Sequence, residues 1–148
     1  MAPIVESVEI SRSPDDVFAY LDQLDRHGEW QQAIVSSGDI TPGPIRVGTR
    51  ATDVRRVPGG MKTKVTYEIT DYDPLRRVSF QGTNGPVRVA GTVTVEALDG
   101  GARSKVTLQL DFRGKGIGAL FAPMARRQAV TMVPGDQQRL KERLESGA

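Results

Sequence analysis

Between residues 47 and 112 apolar and polar side chains alternate with a period of two, and turn signals interrupt the alternation at short intervals. Gly59-Gly60, Asp73-Pro74, Asn84-Gly85-Pro86 and Asp99-Gly100-Gly101 divide this stretch into five strand-like runs. A parallel pair needs a crossover of about a dozen residues or more, for which such spacing leaves no room. The pattern therefore predicts an antiparallel meander. Parity assigns its faces: Met61, Val65, Tyr67 and Ile69 share one side, as do Val78 and Phe80, then Val87, Val89, Gly91, Val93 and Val95, then Val106, Leu108, Leu110 and Phe112. Their neighbours are mostly polar, among them Lys62, Lys64, Thr66 and Glu68, so one face is wet and the other is covered.

The cover has to come from the flanks. Residues 4–10 alternate as a further half-buried strand, and a helix follows at once. Ser13 suits its N-cap, Pro14 its first position, and Asp15 and Asp16 the positive end of its dipole. Val17, Phe18, Leu21 and Leu24 form its apolar face and place its end near Leu24. Residues 25–33 read as a second short helix carrying Trp30 and interrupted by Gly28, and Pro42-Gly43-Pro44 closes the helical part. After Gly114, Gly116 and Gly118, apolar spacing at Ile117, Leu120, Phe121 and Met124, continued by Val133, Leu140 and Leu144, predicts a long closing helix with that stripe inward. Pro134-Gly135 is expected to break or kink it. The order is strand, two helices, meander and helix, an α+β architecture in one domain spanning residues 1–148.

Composition narrows the chemistry. A net charge of +2, from 20 Lys and Arg against 18 Asp and Glu, gives no push towards nucleic acid. The absence of cysteine removes disulfides, thiolate nucleophiles and cysteine metal sites, and a single histidine, His27, removes any site needing two imidazoles. The acidic residues show no calcium-loop spacing, so neither metal nor cofactor is expected. Residues 1–10 lack a basic start followed by an apolar stretch, and no 18 apolar residues run together; the expectation is a cytoplasmic protein.

The chain resembles the START-like superfamily, also called SRPBCC or the polyketide cyclase/dehydrase and lipid-transport family. The resemblance is carried by residues 8–21, with Val17-Phe18 on the helix, by Trp30, Val47-Gly48-Thr49-Arg50, Tyr67-Glu68-Ile69, Asp73-Pro74 and Arg77-Val78. It continues through Gly85-Pro86, Gly91 before Val93, Gly100-Gly101, Pro123, Leu140-Lys141 and Leu144-Glu145. Such a resemblance implies a helix-grip fold, in which a curved antiparallel β-sheet wraps a long C-terminal α-helix, two short helices follow strand 1, and a cavity holds an apolar ligand. A Pro-Gly pair inside the last helix departs from that pattern.

The inward positions then become candidate liners: Trp30, Tyr67, Ile69, Phe80, Val89, Phe112, Phe121 and Met124, an apolar wall of the kind that lipid-like or aromatic molecules require, or else an ordinary filled core. The parity of Val47 and Ala51 turns Thr49, Asp53 and Arg55 to the same side. Asp53 and Arg55 are two apart on one strand face, so they pair with each other, present a carboxylate and a guanidinium to a ligand, or in another register face water. As an enzyme, the protein would use Asp53 as general base and Arg55 or Tyr67 to steady an enolate oxygen. His27 lies in a polar stretch and reads as a surface residue, with no G-x-S-x-G turn to pair it with Ser36 or Ser37. Residues 113–118 read as a hinge at the cavity mouth rather than a phosphate loop, and the basic closing segment, with Arg126 and Arg127 adjacent, is compatible with transient contact with a membrane surface. Three functions are open: a hydrophobic-ligand binder, a polyketide aromatase/cyclase-like enzyme, and a protein-interaction module. The small residues Ala51, Ala90 and Gly91 argue against a tightly filled interior, which ranks the module last. A monomer and a homodimer are both compatible with the sequence.

Overall fold

In a computed structural model that describes residues 2–147, the alternating runs become strands of a single curled antiparallel sheet. Strand β1 (Ile4–Ile10) is followed by helix α1 (Pro14–Leu21), then β2 (Ile34–Gly38), β3 (Arg50–Arg56), β4 (Lys62–Asp73), β5 (Arg77–Gly82), β6 (Val87–Leu98), β7 (Arg103–Gly114) and helix α2 (Gly118–Glu145). The sheet order is β1-β7-β6-β5-β4-β3-β2, so every neighbour except β1 is sequential. Register agrees with parity: Ile4 lies opposite Leu110, Leu110 opposite Gly91, Gly91 opposite Phe80 and Phe80 opposite Ile69, all on the concave side.

Ser13 caps α1 by accepting the Asp16 N–H at 3.2 Å, but the helix stops at Leu21 rather than near Leu24. The expected second helix is shorter as well, a 3₁₀ turn over Leu24–Glu29, and the chain then turns into β2, a strand absent from the sequence reading. Ile34 and Val35 alone give β2 an apolar start, after which a bulge and Ser36-Ser37-Gly38 erase the alternation.

Helix α2 runs unbroken across both Pro123 and Pro134, so the expected interruption at Pro134-Gly135 does not occur. Both prolines are exposed, as are Ala119 and Val130, whose carbonyls lose their N–H partners, so the lost bonds lie on the solvent side of the helix. The phase of the helix also differs from expectation. Its buried residues are Gly118, Ala122, Val133, Asp136, Gln137, Leu140 and Leu144, while Ile117, Leu120, Phe121 and Met124 are exposed. Small side chains bring the first half of α2 close to the sheet, and the large ones lie on its flanks.

The main core joins Ile10, Val17, Phe18, Leu21, Trp30, Val95, Val106, Leu140 and Leu144 at one end of the sheet. A second cluster, Ile4, Leu110 and Val133, holds the middle of α2, with Phe80, Val89, Leu108 and Phe112 only partly buried against it. At the far end, backbone meets backbone. A Cβ on Gly118 would stand 2.1 Å from the Pro86 carbonyl oxygen, and one on Gly114 2.1 Å from that of Gly118. Lys115 N–H also donates to Pro86 at 3.2 Å, so residues 113–118 form a close-packed crossing and not the expected hinge. The amides of Gly118, Ala119 and Leu120 donate to carbonyls three residues back, which leaves none of the three for a phosphate.

Gly91 is small because its neighbours take the space: a Cβ there would lie 2.4 Å from the Phe80 ring and 2.9 Å from Leu110. The space expected to be open is filled at this point. Gly91→Ala should therefore destabilise the fold by about 1–3 kcal/mol through overpacking, and adding Phe80→Leu should recover part of that loss in urea unfolding.

Candidate functional site

Helix α2 packs chiefly against β1 and β7 and less against β6. One flank is tied to β1, where Gln137 donates to the Glu6 carbonyl at 3.1 Å and Lys141 to that of Glu9 at 2.8 Å. The opposite flank is tied to the segment before β2: the Gln32 N–H donates to Asp136 Oδ1 at 3.1 Å, Arg139 Nε donates to the Trp30 carbonyl at 3.2 Å, and Arg139 also pairs with Asp136. These contacts fix the rotation of the helix. Helical spacing then puts Phe121 and Met124 on the flank away from β1, above the uncovered inner faces of β3–β5.

The result is a shallow cleft, a stretch of the concave face that α2 leaves partly uncovered rather than an enclosed cavity. Tyr67, Phe80, Val89 and Phe112 rise from its floor half-buried, with Tyr67 and Phe80 edge to face at 5.9 Å between ring centres. Phe121 and Met124 overhang it, 47% and 48% exposed. Four other expected liners are packed structural residues: Ala51 and Ile69 are buried, Trp30 belongs to the main core, and Thr49 Oγ1 accepts the Arg46 N–H at 2.9 Å within a tight turn. Ala90 has the parity of the outer face, lying opposite Asp111, and so does not enlarge the cleft.

Polar groups gather at the β3 side. Asp53 is only 3% exposed, accepts from Ser37 Oγ at 2.8 Å through Oδ1, and faces Arg55 Nη1 at 3.7 Å through Oδ2. The pair faces inward and is in loose contact, so the reading in which both groups face water does not apply. The sequence marks Ser37 only as a candidate partner of His27; its link to Asp53 depends on β2, where the two residues pair in register. The Arg55 guanidinium makes no hydrogen bond among the described residues, and its only ion contact there is the loose one to Asp53. Burial pulls its basicity down, while Asp53, then Asp136, then Tyr67 oppose the shift. The Tyr67 hydroxyl is buried and has no hydrogen-bond partner, and its pKa is driven up first by burial and then by the Asp53 charge. Trp30 Nε1 is a second buried donor without a partner, inside the main core. No group of three or more acidic or histidine side chains is placed to hold a metal among the described residues.

His27 is not the surface residue expected. Its ring packs 5.3 Å from that of Trp30 and donates from Nε2 to the Leu21 carbonyl at 2.7 Å, which joins the 3₁₀ turn to the end of α1. Ser36 and Ser37 lie on β2, and the Ser37 hydroxyl is committed to Asp53, so no base and nucleophile pair forms.

Comparison with known proteins agrees with this architecture. Residues 1–145 match the profile of the polyketide cyclase / dehydrase and lipid transport family, and the chain belongs to that family. An uncharacterized protein of Mycobacterium tuberculosis is 29% identical over 140 residues, covering 94% of this chain and 93% of the relative. Among solved structures, the aromatase/cyclase Zhui from Streptomyces sp. R1128 superposes with a TM-score of 0.81 at 15% identity over 97% of this chain and 93% of its own. A START superfamily protein from Mycobacterium smegmatis gives 0.80 at 11% identity with both chains fully covered. At such identities the structural likeness establishes the helix-grip fold.

Burial holds the His27 pKa below its ordinary value of 6.5, with only partial opposition from the Leu21 hydrogen bond and the Asp53 charge. The unfolded chain therefore binds the proton more readily than the folded one. The stability this neutral imidazole contributes is complete above the unfolded pKa and is lost as pH falls below it. Urea unfolding at about pH 7.5 and about pH 5.5 should show a larger loss at the acidic value for the parent than for His27→Gln, whose amide keeps a donor for Leu21.

Proposed function

We propose that this protein binds a small apolar molecule carrying a hydrogen-bond-accepting oxygen at one end. The apolar body lies over Phe80, Val89 and Phe112 beneath Phe121 and Met124, and the oxygen is received by Arg55 and Tyr67. The observation that carries this reading is the pair of unused donors at one side of an apolar cleft, Arg55 without a hydrogen bond and the Tyr67 hydroxyl buried without a partner. The buried Tyr67 donor left unpaired costs about 1–3 kcal/mol, which an acceptor from a ligand would recover. Membership of a family described by both cyclisation and lipid transport supports the same class of ligand.

A second reading has its own support. Donors gathered on one side of the concave face also suit an enolate, so a cyclase-like enzyme would use Arg55 and Tyr67 for charge stabilisation and Asp53 for proton transfer. Asp53 is engaged by Ser37 and faces Arg55, an arrangement that favours holding the guanidinium in place over abstracting a proton, and binding is the preferred reading.

The test is native mass spectrometry and titration with oleate and with octadecene, which share a long tail and differ in the oxygen. Oleate should bind one to one and octadecene much more weakly. Arg55→Met should weaken oleate binding by about tenfold or more, and Tyr67→Phe by about fivefold. Equal retention of both probes, or binding unchanged in both variants, would remove the assigned role of the two donors. Turnover of an aromatic polyketide lost in Asp53→Asn with binding intact would instead establish the enzyme.

A further inference from the structure

We infer that the open end of the cleft docks on an anionic lipid bilayer. Three connections meet there. The β3–β4 hairpin closes with Arg56 opposite Lys62; the β5–β6 loop is fixed to β4 by Asn84, which accepts from the Thr66 N–H at 2.9 Å and donates to the Lys64 carbonyl at 3.0 Å; and the start of α2 crosses Pro86. From these connections project single large apolar side chains: Met61 is 73% exposed, Ile117 65% and Leu120 73%. Around them lie Arg56, Lys62, Lys64, Arg88, Arg113 and Lys115, none of which forms a salt bridge among the described residues.

The sequence explains the one-sided charge. Residues 54–67, 74–95 and 112–135 contain no aspartate or glutamate, although the whole chain has 18. The nearest acids, Asp53, Glu68 and Asp111, lie further down the strands, and Asp53 is already held by Ser37. A small net charge thus conceals a cationic end, which is invisible to a composition argument. Elsewhere several arginines are matched, Arg12 with Asp16, Arg26 with Glu29, Arg77 with Asp71 and Arg103 with Glu9, and acidic residues are interspersed among the rest.

Apolar tips ringed by unpaired cations match an interface whose surface is anionic and whose interior is hydrocarbon. An acidic protein would answer the charges, but it would need a separate recess for each tip, whereas a bilayer accepts them at any lateral position. Among the described residues no helix is long and apolar enough to cross a membrane, and the inferred contact is a peripheral one. It would also face the cleft mouth towards the hydrocarbon, with Phe121 and Met124 beside the opening.

The test needs no cleft ligand and so stands apart from the ligand-binding reading. Co-sedimentation is measured with vesicles of phosphatidylcholine alone and of phosphatidylcholine mixed with phosphatidylglycerol in about equal parts. Binding is expected only to the anionic vesicles and should fall steeply with added salt. Lys62→Glu with Lys64→Glu should weaken it by more than about fivefold per position, because each change removes a cation and adds an anion. The variant with Met61→Ser, Ile117→Ser and Leu120→Ser alters only exposed side chains and should also lose binding, with its circular dichroism spectrum unchanged. Absence of sedimentation with anionic vesicles, equal binding to both vesicle types, or parental binding by either folded variant would overturn the proposal.

Discussion

One helix cannot cover seven strands. Strands lie about 4.8 Å apart, so a seven-stranded sheet is about 29 Å wide if flat, whereas a helix with its side chains is about 10–12 Å across. Curling narrows the gap, and α1 with the 3₁₀ turn fills one end, but the inner faces of β3–β5 still lie beyond the reach of α2 at the other end. The cleft follows from that mismatch and needs no special cavity-forming residue. What the sequence must supply is a means of holding the helix to one side. Small residues at Gly118 and Ala122 and the ties to Glu6, Glu9, Trp30 and Gln32 provide it.

The same geometry divides the molecule into an end that stabilises and an end that is open to solvent. Leu140 and Leu144 close the first with Ile10, Val17 and Trp30, all nearly inaccessible to water. Towards the second, burial falls off through Phe80, Val89 and Phe112 to the exposed start of α2. Apolar area left partly in water forfeits about 25 cal/mol for each Å² not buried, so the open end contributes less stability than an equally apolar closed core would. The polar cluster at β3 adds to that cost, because the Tyr67 hydroxyl is buried without a partner and Arg55 has only the loose contact to Asp53. Trp30 Nε1 is also unpaired, but within the closed core, whereas the deficit at Tyr67 borders the open face, where a ligand could complete the interactions.

The legibility of this arrangement in the sequence varied with the code that governs each element. In the meander a side chain's face depends only on parity, and the turns pin the register, so the inward direction of Asp53, Arg55, Tyr67 and Phe80 was readable without coordinates. Parity does not report what stands opposite, and so Ala51, Thr49 and Ile69 were read as liners although neighbours bury them. On α2 the rule that the apolar stripe faces inward failed, because close approach selects glycine and alanine for the contact and leaves Phe121 and Met124 beside it. His27 was misplaced for a related reason: its neighbours Arg26 and Gly28 are polar or small, but the Leu21 carbonyl and the Trp30 ring that enclose it come from the turn's own geometry.

Pro134 shows how three-dimensional context overrides a local rule. A proline within a helix removes one hydrogen bond and crowds the carbonyl four residues before it, an effect of about 3 kcal/mol or more in a helix interior. Here the affected carbonyl belongs to Val130 on the solvent side, where an unpaired carbonyl costs least, while Val133 and Asp136 on either side of the Pro-Gly pair are anchored to the sheet and to Gln32. The penalty is reduced at its source, and tertiary contacts on the opposite face hold the helix through the remainder. The position of the proline around the helix, rather than its presence in the sequence, decides whether the helix breaks, and that position is set by the same off-centre packing that opens the cleft.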